Sequence, residues 1–431
     1  MGLFVNLIFA FLFIYFTYYY VKKSFLLSFL YGLLFFQAFS IIPSLIYIEE
    51  GVYINEQGRF SFFTGATILC VSYFIITFIL IALSFKTFNK YKIPVVKLNY
   101  KGHNIEYTLL ILMVVIPMAL LVLNALLSPI PLTNPTINRF NYWSTSKLPF
   151  LNSIFGNTAM FVPFALGILF TRYKKFSLFM LLVFYGYNFM IGQKFSPIVQ
   201  GTFSFLLPIV FYYRGNIKSY VKRYFVVLML VGASLIGIMY AVTYKKYDDT
   251  HPFANIKIYN PNEAMLYRIF GLQGHLLWGA TDRYVASNEE PKSFNPADLL
   301  YGMRLMMDEF AKDRNMVLYA NQKGGYNFTN AYPGILFKIF PVSLALVFHT
   351  FLTIVFLALM GWILKEFMIH KGWVISVIIY QFFNWILYAF VMGYFYKLYF
   401  TLAFLLVYGF YVYYRKKKND TNHQPIPSQT S

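Results

Sequence analysis

Residues 106–127, EYTLLILMVVIPMALLVLNALL, carry one ionisable side chain, Glu106 at the first position, with only uncharged residues behind it. Wound into a helix rising about 1.5 Å per residue, a run of about 20 such residues crosses a hydrocarbon core of ~30 Å. Apolarity on every face, rather than along one stripe, fits a helix surrounded by lipid or by other apolar helices. Comparable runs recur in both directions along the chain, each closed by charge. They predict spans near 2–21, 24–48, 61–85, 106–127, 150–171, 176–192, 195–213, 224–243, 341–364, 372–393 and 396–414. That makes about eleven, with ten to twelve as the range the boundaries allow; the pair around Gln193 and Lys194 also fits one re-entrant element.

Composition agrees. Hydrophobic residues make up 59% of the chain and charged residues 12%, where a soluble domain has roughly a quarter charged. So few charges cannot cover a water-exposed surface, which excludes a soluble enzyme, a disordered chain and a soluble nucleic-acid binder. Cys70 is the only cysteine, so an intramolecular disulfide and a paired-cysteine metal or redox site are excluded too. The expected fold is all-α, a polytopic transmembrane helix bundle. Spans 1–8 occupy residues 1–243 and a large extracytoplasmic helical loop occupies 244–340. Spans 9–11 follow in 341–414, then a tail in 415–431 that is basic at first and polar and disordered beyond.

The net charge of +20 gains meaning from where it falls. If Lys22 and Lys23 face the cytoplasm, alternate loops form one set with 20 basic residues against three acidic ones. The long loop 244–340 is nearly balanced, with eleven basic and ten acidic residues. Lysine and arginine collect on the cytoplasmic side of membrane proteins, so the amino terminus is expected outside and the carboxy terminus in the cytoplasm. The first apolar run lacks the preceding basic residues of a cleaved signal peptide.

The span interiors are almost free of ionisable groups, and only His349 lies well inside one. A lone histidine there is expected as a hydrogen-bonded packing residue, while Glu106 and Lys194 at span ends reach the headgroups. Polar chemistry is concentrated in the long loop. Within Asn262–Ser287, helical spacing puts Arg268, Gly271, His275, Gly279 and Asp282 at i, i+3, i+7, i+11 and i+14, one narrow stripe. Two uses fit such a stripe. It either takes a bulky anionic substrate, with the glycines giving room, or is the solvated face of an interfacial amphipathic helix. Each glycine costs about 1 kcal/mol inside a helix, which favours the first use.

Further on, Leu300–Ala311 is a second amphipathic stretch bearing Arg304. The run Gly324–Gly334, with Tyr326 and Asn327, is rich in aromatic and amide side chains that suit sugar rings and hydroxyls, or it is an ordinary re-entry loop. The loop Pro129–Ser153 adds Arg139, Tyr142 and Trp143 on the same outer face. Phosphate-binding loops, zinc-protease and serine-hydrolase motifs and EF-hands do not occur; neither a metal site nor a cofactor is expected.

Taken together, these features resemble the bacterial O-antigen and capsular repeat-unit polymerases, the Wzy-type family. The resemblance lies in the span number, the dominant late outer loop with its arginines, and the run Arg268-Ile-Phe-Gly-Leu-Gln273-Gly-His275-Leu-Leu-Trp278. The turn Asn327–Gly334 adds to it. An odd span number departs from the even topology common in that family. The resemblance implies an inverting, metal-independent glycosyltransferase on the outer face of the bacterial inner membrane. Donor and acceptor would both be oligosaccharides on undecaprenyl pyrophosphate, with room for a chain-length regulator protein as partner and none for nucleic acid.

The residues suit that chemistry. A pyrophosphate leaving group needs fixed positive charge, which guanidinium groups supply bidentately. Arg268 and Arg283 come first for that role, with Arg139 and Arg304 behind them. His275 titrates near neutrality and serves as general base, with Asp282 orienting it or acting as the base itself. Gln273, on the opposite wheel face, supports packing or a separate sugar contact, as Tyr326 and Asn327 do. The alternatives are an O-antigen ligase, with the same donor, and a lipid-linked oligosaccharide flippase or other transporter.

Overall fold

The computed structural model describes residues 2–23, 32–54, 59–90, 104–212 apart from 135, 138, 140 and 194, 261–286, 330, 332–369, and 373–395 apart from 394, together with isolated positions between 219 and 240, at 300, and between 405 and 413. Its helices are α1 (Gly2–Lys23), α2 (Gly32–Glu49), α3 (Ala66–Lys90), α4 (Asn104–Leu127), the single turn α5 (Tyr142–Thr145), α6 (Leu151–Phe170), α7 (Lys174–Met190) and α8 (Phe195–Tyr212). After these come α9 (Pro261–Leu266), α10 (His275–Thr281), α11 (Gly334–Ile339), α12 (Val342–Ile369) and α13 (Trp373–Met392). A two-residue antiparallel hairpin, β1 (Tyr53–Ile54) with β2 (Arg59–Phe60), joins α2 to α3.

The fold is thus helical, as the apolar runs predict. Among the described residues, four segments are long and apolar enough to cross a membrane: Gly2–Tyr19, Ala66–Ser84, Ile105–Leu127 and Val342–Leu359. Shorter apolar helices cover Thr158–Phe170, Pro197–Val210 and Ser376–Phe390. The predicted spans 224–243 and 396–414 fall mostly outside the described residues, as does the tail beyond Tyr413. Apolar exposure follows the expected lipid contact: on α1, Phe4, Phe11, Tyr15 and Tyr18 face outward while Asn6, Phe13 and Thr17 are buried.

Two groups of helices share one continuous hydrophobic core. In the first, α1, α2 and α3 pack against one another and α3 carries α12; in the second, α4, α6, α7, α8 and α13 associate. The groups meet where α12 touches α13, and again where Gly32 of α2 lies against the Phe203 ring of α8. Within the second, a Cβ placed on Gly167 of α6 would lie 2.2 Å from the carbonyl oxygen of Phe205 in α8, so only glycine lets these backbones come together. Small residues that let backbones approach are the usual means of helix pairing in membranes, where apolar surface alone gives no preference for protein over lipid. Tyr380 of α13 closes the group, stacked on Phe164 at 4.0 Å and hydrogen-bonded to Ser204 at 2.5 Å.

The first group is tied by a carboxylate. Glu49, at the end of α2, is 5% exposed. It accepts from Asn6 Nδ2 of α1 at 2.6 Å, and from the Ala66 amide (2.6 Å) and Thr67 hydroxyl (2.8 Å) at the start of α3. Thr64 adds a fourth donor at 3.2 Å. The side chain therefore caps α3 and satisfies amide donors that a helix start leaves open. Glu49→Ala is expected to lower stability by about 2–4 kcal/mol, since several buried donors lose a charged acceptor at once. Glu49→Gln should fall between. Thermal melting of the purified protein in detergent reads both, and coincident curves for all three proteins would count against the cap.

Candidate functional site

The segment singled out in the sequence is helical but not one helix. After α9 the chain passes through a π turn over Tyr267–Gly271, closed by the Leu272 amide on the Tyr267 carbonyl at 3.1 Å. It then breaks at residues 272–274, resumes as α10, and ends in a second π turn over Asp282–Ala286. A constant rotation per residue does not hold across two π turns and a break, so the single stripe from Arg268 to Asp282 is corrected: these residues do not line one straight helix face. Short π segments inside helices are frequent at functional sites, and the two here carry Arg268 on one side and Asp282 and Arg283 on the other.

The solvated-face alternative is corrected as well. Every residue of α10 is buried; His275 is 1% exposed and Asp282 3%. The insertion lies against α2, α3 and α11. Ser44 of α2 donates to the Gly271 carbonyl at 3.0 Å, the Phe62 ring meets Trp278 edge-on at 6.0 Å, and Tyr47 packs on Phe270 at 6.1 Å. The glycines acquire a different role from the substrate clearance expected of them. A Cβ on Gly271 would fall 2.3 Å from the Tyr267 ring, and one on Gly274 would fall 2.8 Å from Ser44 Oγ. Both positions are spent on close packing, the second directly against α2.

The hydrogen bonds of His275 define its chemistry. Nδ1 lies 2.7 Å from the Leu272 carbonyl oxygen. A carbonyl only accepts, so Nδ1 carries the proton and donates, and the lone pair of the neutral ring is on Nε2. That is the tautomer a general base needs. The Leu272 carbonyl thereby orients the ring at Nδ1. Gln273 holds the returning chain: its backbone carbonyl and Oε1 accept from Asn330 Nδ2 at 3.2 and 3.4 Å. Asn330 adopts a left-handed φ of 66°, a conformation asparagine tolerates better than most residues.

Other expected residues are placed elsewhere. Arg283 is half-buried on the second π turn. The side chain of Arg268, and all of Arg304, Tyr326 and Asn327, lie outside the described residues. Arg139 belongs to the second helix group, next to the α7–α8 turn: a Cβ on Gly192 would be 3.6 Å from its own Cβ. In the same loop, Asn124 of α4 pins residues 142–148 by donating to the Tyr142 hydroxyl at 3.3 Å and accepting from the Leu148 amide at 3.0 Å. Burial pushes the Tyr142 phenol above its ordinary value. Sequence reasoning passed over Asn124 and Glu49 because the partners described above lie 15 to 43 residues away. Among the described residues, no cluster of three His, Cys, Asp or Glu side chains forms that could hold a metal ion.

A family of unknown function, DUF6418, is similar to this chain over residues 296–408. That stretch includes α11, α12 and α13 and excludes the insertion at 261–286. No curated protein and no solved structure matches the chain.

The packing of Gly274 on Ser44 gives a direct test of the docked insertion. A Cβ at Gly274 would be 3.2 Å from the Ser44 Cβ, near the ~3.5–4.5 Å spacing of a disulfide. In a Cys70→Ser background, Ser44→Cys with Gly274→Cys should cross-link on mild oxidation and become refractory to maleimide. Two thiols that stay fully reactive would show that the insertion does not rest on α2.

Proposed function

We propose that this chain is a metal-independent, inverting glycosyltransferase that polymerises lipid-linked oligosaccharide repeat units into O-antigen or capsular polysaccharide. In this proposal it crosses the bacterial inner membrane about eleven times, amino terminus outside, with residues 244–340 on the outer side. The observation that carries the proposal is His275: a buried imidazole whose Nδ1 is bound to a backbone carbonyl and whose Nε2 holds the lone pair. It sits between two π turns bearing cationic and acidic residues. The family resemblance of the Arg268–Trp278 run supports the same reading.

The proposed step balances without a cofactor. A hydroxyl oxygen at the non-reducing end of one lipid-linked unit attacks the anomeric carbon of a second. The bond from that carbon to the pyrophosphate oxygen breaks, and configuration inverts. His275 Nε2 takes the hydroxyl proton, and undecaprenyl pyrophosphate departs with its added negative charge held by Arg268 and Arg283. Asp282 sits beside Arg283 in the chain and serves to balance the cationic pair. Arg139 and Arg304 are placed as outer contacts to the donor, and Gln273, Tyr326 and Asn327 as contacts to the sugars.

Glycan profiles from a strain lacking the gene test this proposal. Wild type should restore a ladder, while His275→Ala and Arg268→Ala should leave a single-repeat band at normal membrane abundance, a loss of about 10²-fold or more. A full ladder from His275→Ala would remove that residue from the chemistry. Lipid-linked chains accumulating without surface glycan would indicate a ligase, and repeat units trapped on the cytoplasmic leaflet a flippase.

A further inference from the structure

His349 was expected as a packing residue, and it is buried and fully engaged. Its Nε2 lies 3.1 Å from the Tyr73 carbonyl oxygen and 2.9 Å from Thr77 Oγ1, while Nδ1 lies 2.5 Å from the Tyr332 hydroxyl. The carbonyl fixes the proton on Nε2, so Nδ1 accepts from the Tyr332 O–H. The Thr77 hydroxyl donates in turn to the same Tyr73 carbonyl at 3.0 Å. Burial, with the Tyr73 phenol nearby, pushes the Tyr332 hydroxyl well above its ordinary value of 10.0, which keeps it a donor.

Tyr332 stands two residues after Asn330, which binds Gln273, and Gln273 stands two before His275. The path from helix to candidate base is therefore short: His349 to Tyr332, along the chain to Asn330, across to Gln273, and on to His275. A second path runs beside it. The turn at Tyr332 and Pro333 starts α11, Phe337 of α11 meets Tyr73 edge-on at 5.4 Å, and α11 packs on α10.

We propose that His349 is a positioning residue, a latch that joins α3 and α12 to the turn at Tyr332 and so fixes where His275 sits. This deepens the glycosyl-transfer proposal and rests on it for its kinetic readout only. The latch holds one end of a chain of contacts, so releasing it loosens the insertion without removing a group that touches substrate.

The decisive variant is Tyr332→Phe, which keeps the ring and deletes only the hydroxyl; His349→Ala removes the latch whole. Both are made in the Ser44→Cys/Gly274→Cys, Cys70→Ser background for cross-linking and in wild type for turnover on lipid-linked repeat units. Cross-link yield should fall by about threefold or more, and kcat by about tenfold at unchanged KM, a misplacement short of the 1 Å that costs about 10²-fold. His349→Asn, which keeps an acceptor near Nδ1, should recover most of both. If Tyr332→Phe cross-links and turns over like its parent at normal abundance, the latch is overturned. Should the chain show no glycosyl transfer at all, cross-linking alone decides: reduced yield upholds the latch and unchanged yield overturns it.

Discussion

In an apolar bundle, a backbone carbonyl or amide without a partner costs several kcal/mol, because no water is at hand to replace it. The segment 261–286 interrupts its own helical hydrogen bonding, and its part from Gly274 to Asp282 is nevertheless buried. Its position is thus dictated by where its freed groups find partners. Ser44 takes the Gly271 carbonyl, His275 takes the Leu272 carbonyl, and Asn330 reaches the Gln273 carbonyl. Each of these carbonyls belongs to the broken stretch between the first π turn and α10. The break is thus repaired in part by the side chain of His275 itself, which fixes its ring on the backbone it follows.

The same economy governs the ionisable groups. Glu49 is buried without a facing lysine or arginine among its hydrogen-bond partners; four neutral donors, one of them the first amide of α3, take the place of a counter-ion. Hydrogen bonds to a charged acceptor are about twice as strong as those between neutral groups, which makes the carboxylate a better hub than an amide would be. Three helices separated in sequence are brought to one point by it, and the hairpin between α2 and α3 sits where the cap has already set its ends.

Much of the helical framework is legible in the order of residues, because a long run without charge has few other uses. The runs around 2–21, 61–85, 106–127 and 341–364 each coincide with a helix. What escapes is whatever depends on a partner far along the chain. Gly271 looks like clearance for a ligand until the Tyr267 ring is found against it and Ser44, 227 positions earlier, on its carbonyl. The wheel drawn through Arg268, His275 and Asp282 fails for a local reason: it assumes a uniform helix, and neither π turns nor the break at 272–274 announce themselves in composition. Burial of His275 is equally hidden, since the surrounding loop is rich in charge. His349 was readable as a bonded residue from its isolation in an apolar run, though not the identity of its partners.

The close approach of α6 and α8 at Gly167 has a mechanical consequence. Two backbones in contact there cannot slide past each other without forcing the Phe205 carbonyl into the glycine, and Tyr380, stacked on one helix and bonded to the other, adds a third member to the pair. The three helices behave as a strut. Any relative movement of the two helix groups is therefore left to the contacts between them, α12 against α13 and Gly32 against the Phe203 ring, rather than to the α6–α8 pair.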